Sequence, residues 1–223
     1  MARPWHTAQR FYDRRMLTLS QSLSFLLVAI LITASPGPDN LMVLGMGMSK
    51  GRRQGIAFGL GCALGCLSHT VLAAIGVSAV VAASPLAFTL LKWIGGLYLI
   101  WLGIQALRSQ GAAQMNAAGQ QGQSLRSLFT KGLVANAINP KVVLFFLSFL
   151  PQFVVPSQGQ VGLQLGLLGL LFTAQAAVLF GLLGYFAGTV GGWLARRPRA
   201  GLWLDRIAGM VFVGLGLRMI TAR

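Results

Sequence analysis

Long uncharged stretches separated by short basic segments dominate the chain. No charged residue occurs at positions 55–83 or 142–195. A helix needs about 20 apolar residues to cross the hydrocarbon layer of a bilayer, and both stretches exceed that length. The pattern predicts an all-α polytopic membrane protein of about six transmembrane helices. We expect them at roughly 17–34 (continuing brokenly to 49), 55–82, 86–107, 131–155, 161–190 and 202–220.

Composition and charge agree with a membrane location. Only 9% of residues are charged, whereas soluble domains carry about 25%. The net charge of +15 could indicate a nucleic-acid partner, but the basic residues lie in clusters between apolar segments. That distribution is typical of cytoplasmic loops beside a lipid bilayer, so no nucleic-acid partner is expected. The clusters are Lys50, Arg52, Arg53; Arg108, Arg126, Lys131; and Arg196, Arg197, Arg199.

The third and sixth predicted helices share a pattern of glycines and aliphatic residues. Ile94-Gly95-Gly96-Leu97 matches Ile207-Ala208-Gly209-Met210 at an offset of 113 residues. Chance similarity between two apolar helices is the alternative. A repeat predicts two three-helix halves, 16–108 and 131–223, joined by a linker at 109–130. Because three is odd, the halves have opposite orientations in the membrane.

The loop charges predict an orientation. They place the segments 50–53, 108–131 and 196–199 inside the cell and both termini outside. The four arginines in residues 1–15 oppose this assignment. We therefore interpret 1–15 as an N-terminal extension that is disordered or results from a misassigned start.

The first predicted helix contains a break at Ser35-Pro36-Gly37-Pro38-Asp39-Asn40. Pro36 and Pro38 lack an N–H group and disfavour helix before them, and Gly37 adds backbone freedom. Asp39 and Asn40 then lie in the first turn of a new half-helix, whose free N–H groups attract anions. Asp39 could bind a substrate or a proton, or it could merely cap this half-helix.

A second break occurs at Asn136-Ala137-Ile138-Asn139-Pro140-Lys141. Asn139 can cap the following half-helix, whereas Lys141 opposes its dipole and calls for another explanation. Snorkelling to the interface is one explanation for Lys141 and a functional role is the other. If the halves are inverted repeats, both breaks meet near the midplane. Asp39 and Lys141 would then suit the ammonium and carboxylate of a zwitterion.

The second predicted helix carries the remaining candidates for chemistry. His69 could carry protons, or it could simply hydrogen-bond to a neighbouring helix. Cys62, Cys66 and His69 share one helix face, which leaves a soft-metal (cadmium or zinc) exporter as the alternative function. The two cysteines could equally be small apolar residues. Tyr98, Gln105 and Gln175 could line a path or bond between helices. No catalytic motif occurs, so neither an enzyme nor a cofactor is expected.

The motifs at the breaks resemble the LysE-type amino-acid exporter superfamily, and specifically its homoserine/threonine exporter branch. The resemblance covers about 17–220 and implies a multi-pass amino-acid exporter of the bacterial cytoplasmic (inner) membrane, driven by the proton gradient. In this chain Ser35 stands where threonine is common, and Cys66 where many relatives carry an acidic or other polar residue. The segments that resemble the family are Ser35-Pro36-Gly37-Pro38-Asp39-Asn40, Gly51-Arg52-Arg53-Gln54-Gly55, Leu91-Lys92-Trp93-Ile94-Gly95, Asn139-Pro140-Lys141 and Phe149-Leu150-Pro151-Gln152-Phe153.

These observations give one mechanistic hypothesis. Asp39 alternates between a proton and the ammonium of an amino acid, with Asn40, Asn136, Asn139, Lys141 and His69 completing the site. Competition for one carboxylate is a sufficient basis for proton antiport. The protein could also form a homo-oligomer.

Overall fold

The structure, a computed structural model, describes residues 17–77, 79, 84–109 and 123–221. The predicted extension 1–15 and positions 110–122 of the predicted linker lie outside these residues. Regular secondary structure in the described part is helical throughout. Its α-helices are α1 (Leu19–Ala34), α2 (Pro38–Lys50), α3 (Arg52–Leu72), α4 (Pro85–Arg108), α5 (Leu125–Ala137), α6 (Pro140–Leu144), α7 (Val161–Tyr185), α8 (Ala187–Arg196) and α9 (Pro198–Thr221).

Several helices extend or join through tighter or wider turns. A π-helical turn at Ala73–Val77 lengthens α3. A second π turn at Phe145–Phe149 and a 3-10 turn at Leu150–Phe153 lengthen α6. A short 3-10 turn at Pro156–Gln158 precedes α7.

Membrane-spanning helices are of two kinds. Four are long and apolar enough to cross a bilayer alone, and they comprise α3 with its π turn, α4, α7 and α9. The other two spans are bent pairs: α1 meets α2 at 58°, and α5 meets the extended α6 at 50°. The chain is therefore an all-α polytopic membrane protein with up to six spans. The breaks fall in the first and fourth spans, as predicted.

Two predicted helix boundaries are wrong. The fourth span begins at Leu125 rather than at 131, because the Ser124 hydroxyl accepts a hydrogen bond from the Ser127 N–H and caps the helix. Residues 125–130 of the predicted linker are thus helical. The predicted helix 161–190 instead ends at Tyr185, and Phe186 leaves the helical conformation before α8 begins. No proline or charge marks that second boundary.

Contacts between helix ends show which loops share a side. Lys50 Nζ donates to Gln123 Oε1 at 3.5 Å, and the Arg52 guanidinium lies 4.8 Å from the centre of the Tyr185 ring. These contacts place Lys50, Arg52 and Gln123 at one end of the bundle, the basic end. At the opposite end, Gln21 Nε2 donates to the Phe153 carbonyl.

Helices α4 and α9 pack antiparallel through reciprocal glycine contacts. A Cβ on Gly96 would lie 3.0 Å from the Gly216 carbonyl oxygen, and one on Gly209 would lie 2.7 Å from the Gly103 carbonyl oxygen. At the 113-residue offset, Gly96 corresponds to Gly209 and Gly103 to Gly216. The contacts are thus exchanged as a two-fold relation between inverted halves requires. Small residues permit such close approach in lipid.

Helix α3 lies at the centre of the bundle, between α5 and α7. A Cβ on Gly61 would lie 2.0 Å from the Phe129 carbonyl oxygen of α5. A Cβ on Gly59 would lie 2.9 Å from the Phe180 carbonyl oxygen of α7. These backbone contacts bring both breaks close to α3.

Candidate functional site

At the first break, a side chain from the start of α2 hydrogen-bonds to the backbone at the end of α1. Helix α1 ends at Ala34, and Gly37 occupies the N-cap position of α2 with Pro38 in its first turn. Asn40 Nδ2 donates to the Thr33 carbonyl oxygen at 2.8 Å, which satisfies an acceptor freed at the end of α1. Unpaired carbonyls at membrane depth need such partners.

The second break is organised by two asparagines. Asn139 Oδ1 accepts a hydrogen bond from the Lys141 N–H at 3.1 Å and so caps α6. The Asn139 N–H donates to the Asn136 carbonyl oxygen at 2.9 Å. The cap agrees with the sequence-based expectation for Asn139.

Both breaks line one small cavity of about 20 Å³. That is room for about one water molecule and not for an amino acid. The cavity combines the polar groups of the two breaks with apolar side chains from α1, α6 and α7. Its lining residues are Ile32, Thr33, Gly37, Asp39, Asn40, Cys66, Asn136, Asn139, Lys141, Val142, Phe172 and Phe180.

Asp39 is held by the second break rather than by its own helix. Its carboxylate is 4% exposed, and Oδ2 accepts a hydrogen bond from Asn136 Nδ2 at 2.7 Å. Among the described residues, no N–H of α2 donates to the Asp39 carboxylate. The capping explanation for Asp39 therefore does not account for its position.

Lys141 is held by the first break. Its side chain is 8% exposed, and Nζ donates to the Ser35 carbonyl oxygen at 3.0 Å and to Ser35 Oγ at 2.8 Å. The ammonium also lies 5.2 Å from the centre of the Phe212 ring. A Cβ on Gly37 would lie 3.1 Å from Nζ, so the glycine leaves room for the ammonium. Lys141 is buried inside the bundle, which is not the snorkelling arrangement.

Each of the two charged residues bonds to a residue in the opposite half of the chain. Asp39 of the first break bonds Asn136 of the second, and Lys141 of the second bonds Ser35 of the first. In the described part of the chain no ion pair within 4.0 Å joins Asp39 to Lys141. The cavity thus has an anion and a cation on its wall, each with a neutral partner.

Asn136 connects the second predicted helix to this site. Cys66 Sγ donates to Asn136 Oδ1 at 3.4 Å, and His69 Nε2 lies 3.1 Å from the Asn136 carbonyl oxygen. His69 Nδ1 has no hydrogen-bond partner among the described residues. The His69 contact to α5 is the arrangement expected of a histidine that bonds a neighbouring helix.

A metal site is not supported. Within the described ranges, no three His, Cys, Asp or Glu side chains come together in a way that could hold a metal ion. The Cys66 thiol is instead used as a donor to Asn136. The soft-metal alternative is therefore not favoured.

Comparison with protein families gives a match that covers most of the chain. The family model described as "LysE type translocator" matches residues 30–223, which include both breaks. The chain belongs to this family. Its members are translocators, and the matched region contains the whole candidate site.

Relatives of the translocator cover nearly its whole length. A "Homoserine/homoserine lactone efflux protein" of Salmonella typhimurium is 31% identical over 93% of this chain and 99% of its own. A "Leucine efflux protein" of Klebsiella pneumoniae is 26% identical over 89% and 94%. An "Uncharacterized membrane protein" of Vibrio cholerae is 34% identical over 90% and 97%. No solved structure matches the chain.

Tight packing lies on both sides of the translocator's cavity. Toward the Phe153 end, the Phe172 ring of the cavity wall lies 5.2 Å from that of Phe145 and 6.5 Å from that of Phe25, and Phe25 lies 5.2 Å from Phe153. Toward the basic end, a Cβ on Gly55 would lie 2.8 Å from Gly47 Cα. At about 20 Å³, the cavity between these contacts cannot hold an amino acid.

Sequence reasoning missed several groups around the cavity. Ser35 was visible in the first motif, but its role as the partner of Lys141 depends on contact across 106 residues. Phe172, Phe180 and Phe212 carry no local signal that separates them from other core aromatics. Gln175 was expected to line a path or to bond between helices, and its Nε2 donates to Thr33 Oγ1 at 2.8 Å, which joins α7 to α1.

Proposed function

We propose that this translocator exports a neutral amino acid, with Asp39 binding its ammonium and Lys141 its carboxylate. The observation that carries the proposal is that two interrupted spans bring one anion and one cation to the same buried cavity. Each charge is held by a neutral group that a substrate can displace. Discontinuous helices in both halves are where transporters of this plan bind their substrates.

The cavity wall favours a neutral substrate side chain. Apart from Asp39 and Lys141, the described lining residues are uncharged. Four of them are large and apolar: Ile32, Val142, Phe172 and Phe180. A third charge would have no counter-charge there, and an unpaired buried charge is strongly unfavourable. The efflux relatives are named for homoserine, homoserine lactone and leucine. Homoserine and leucine are neutral amino acids in the same sense, whereas the lactone has an ammonium group but no carboxylate.

Proton antiport follows if the Asp39 carboxylate binds the substrate ammonium and a proton in turn. The substrate ammonium displaces the Asn136 amide from the carboxylate, and a proton takes its place on the return step. Because a cavity of about 20 Å³ has no room for an amino acid, the helices must move apart before substrate enters.

We further infer an orientation in the bacterial cytoplasmic membrane. Excess Lys and Arg favour the cytoplasmic side. The end that contains Lys50, Arg52 and Gln123 would then face the cytoplasm, and both termini would lie outside. Cysteine labelling of intact cells at position 221 against position 126 tests this orientation.

The proposed function is tested by export from vesicles loaded with labelled homoserine or leucine, with an imposed pH gradient and a proton indicator. Asp39→Asn and Lys141→Met should abolish export while the protein remains in the membrane. Matched controls are Asp205→Asn and Lys131→Met, which remove an acid and a base that do not line the cavity. They should retain export.

Two results would contradict the proposal. Undiminished export by Lys141→Met would remove the carboxylate site. Proton movement coupled to export in Asp39→Asn would exclude Asp39 as the shared ligand, whatever else it does.

A further inference from the structure

Helix α8 is too short to cross the membrane and lies at the basic end of the bundle. Its ten residues extend over about 15 Å. It follows α7, whose last residue Tyr185 contacts Arg52, and it precedes the span that begins at Arg199. A Cβ on Gly191 would meet the Met48 side chain of α2. Helix α8 therefore connects two spans on the same side of the membrane.

A cavity of about 590 Å³, the α8–α9 cavity, lies between this helix and α9. Ligand clefts in proteins have volumes of about 300–1,000 Å³, so a small-molecule group fits. The described lining residues are three cations, two large aromatic residues and one small residue: Arg196, Arg197, Arg199, Trp193, Trp203 and Ala200. None of them lines the cavity between the two breaks.

The three arginines of the α8–α9 cavity have no acidic partner among the described residues. No carboxylate oxygen there lies within 4.0 Å of their guanidinium nitrogens. Of the two acids in the described part, Asp39 lies in the other cavity and Asp205 accepts a hydrogen bond from Ser109 Oγ at 2.6 Å. The Arg197 guanidinium lies 5.9 Å from the centre of the Trp193 ring. Like charges gathered without a counter-charge repel one another, so the cavity attracts an anion.

Helix stability and membrane topology do not explain where these arginines lie. Arg199 is in the first turn of α9, which contains no acid, and a cation at that position opposes the helix dipole. An excess of Lys and Arg in a cytoplasmic loop sets the orientation of a membrane protein by number alone. It does not require the cations to surround one cavity.

The two tryptophans indicate the depth of the cavity in the membrane. Trp193 is 46% exposed and Trp203 57%, and the Arg206 guanidinium lies 5.8 Å from the centre of the Trp203 ring. Tryptophan is enriched at the level of the lipid headgroups, where one part of the ring is in a polar environment and the other in an apolar one. The span of α9 begins at Arg199, beside the same cavity. Anionic phospholipids supply both a phosphate and apolar chains at this depth.

We propose that the α8–α9 cavity binds the headgroup of an anionic phospholipid. The guanidinium groups of Arg196, Arg197 and Arg199 contact the phosphate, because the planar guanidinium donates two parallel hydrogen bonds to phosphate oxygens. Trp193 and Trp203 contact the glycerol and the first part of the acyl chains. The inference goes beyond the proposed function and does not depend on it, since the site is separate from Asp39 and Lys141.

The test is binding of fluorescent phosphatidylglycerol and phosphatidylcholine to the purified protein in micelles of a neutral detergent. At about 0.15 M salt, charges farther than about 8 Å from the headgroup are largely screened. A basic residue beside an anionic headgroup contributes about fivefold to its affinity. The unchanged protein should therefore bind phosphatidylglycerol about tenfold or more tightly than phosphatidylcholine. Arg196→Gln, Arg197→Gln and Arg199→Gln together should weaken phosphatidylglycerol binding about a hundredfold.

A matched control removes three cations from the same end of the bundle. Lys50→Gln, Arg52→Gln and Arg53→Gln together should weaken phosphatidylglycerol binding by less than about threefold, because these residues do not line the α8–α9 cavity. Equal losses in the two triple variants would show general attraction to the basic end and would overturn the site. Displacement of the lipid by inorganic phosphate at equal concentration would assign the cavity to a soluble anion and would also overturn it.

Fluorescence quenching locates the lipid without changing an arginine. Replacing Trp5, Trp93 and Trp101 by phenylalanine leaves Trp193 and Trp203 as the emitting residues. Phosphatidylglycerol with a nitroxide on the acyl chain next to the headgroup should quench them more strongly than phosphatidylcholine with the same label. Equal quenching by the two lipids would refute the site even if the glutamine variant does not fold. Neither assay measures export, so failure of this site leaves the proposed function unaffected.

Discussion

Replacing Lys141 by methionine removes the cation from the cavity and keeps a side chain of similar length. The change leaves the Asp39 carboxylate, which is 4% exposed, without an opposite charge on the cavity wall. It also takes the ammonium donor from the Ser35 carbonyl and hydroxyl oxygens. A hydrogen bond to a charged group contributes about 1.5–3 kcal/mol. We therefore expect Lys141→Met to lower the free energy of unfolding by about that amount.

The double variant with Asp39→Asn should recover part of this loss. An asparagine at position 39 can still bond Asn136, and no isolated charge remains in the cavity. The two charges lie beyond the 4.0 Å limit of an ion pair, and at that limit two unit charges interact by about 4 kcal/mol at an effective dielectric constant of about 20. Their coupling energy should therefore be below that ceiling, at about 1–3 kcal/mol.

The measurement is a double-mutant cycle of equilibrium unfolding in mixed micelles, followed by tryptophan fluorescence. Asp205→Asn and Lys131→Met form the control cycle, because Asp205 bonds Ser109 Oγ at 2.6 Å and not Lys131. The control should be additive within about 0.5 kcal/mol. If the cycle of Asp39→Asn and Lys141→Met is equally additive, Asp39 and Lys141 do not interact energetically. The zwitterion site would then lose its physical basis.

Three smaller changes test the supports of the site. Ser35→Ala removes the 2.8 Å bond to Lys141 Nζ and the 2.6 Å bond that Ser35 Oγ donates to the Ile32 carbonyl oxygen, but not the bond from Lys141 to the Ser35 carbonyl. We expect a loss of about 1–2 kcal/mol in the same unfolding assay, and no loss would mean that the hydroxyl does not support Lys141. Asn136→Leu removes the donor to Asp39 and should lower the free energy of unfolding by about 1.5–3 kcal/mol. The loss should be smaller when Asp39 is already replaced by asparagine, and equal losses in both backgrounds would refute the contact. Gly55→Leu places a side chain where even an added Cβ would lie only 2.8 Å from Gly47 Cα. Overpacking should lower the free energy of unfolding by about 1–3 kcal/mol and slow export. Unchanged stability and export would show that the basic end is loosely packed.

The spans and breaks were predictable because their causes are local. Uncharged length decides whether a segment can cross the bilayer, and Pro36, Pro38 and Pro140 interrupt helices wherever the rest of the chain lies. The helix start at Leu125 was missed although Ser124 is a suitable cap. Arg126 and Lys131 make that first part of the helix too polar to be found by hydropathy.

The partners of the charged groups were not predictable from local pattern. Spacing indicates that Asp39 and Lys141 belong to corresponding breaks, but it does not show that each bonds the opposite half. That depends on how α3 brings the breaks together, which is decided by packing at Gly61 and Gly59. The contact between Thr33 and Gln175 likewise joins residues 142 positions apart.

The exchange of partners has a consequence for how the halves could separate. Asp39 bonds Asn136, and Lys141 bonds Ser35, so both bonds join the first break to the second. Opening the cavity without substrate would break both bonds and leave two buried charges poorly satisfied. Under the proposed mechanism, an amino acid supplies an ammonium to one charge and a carboxylate to the other, so it replaces both bonds at once. A ligand with only one of these groups would replace one bond, and we expect an amine or a carboxylic acid alone to be exported poorly.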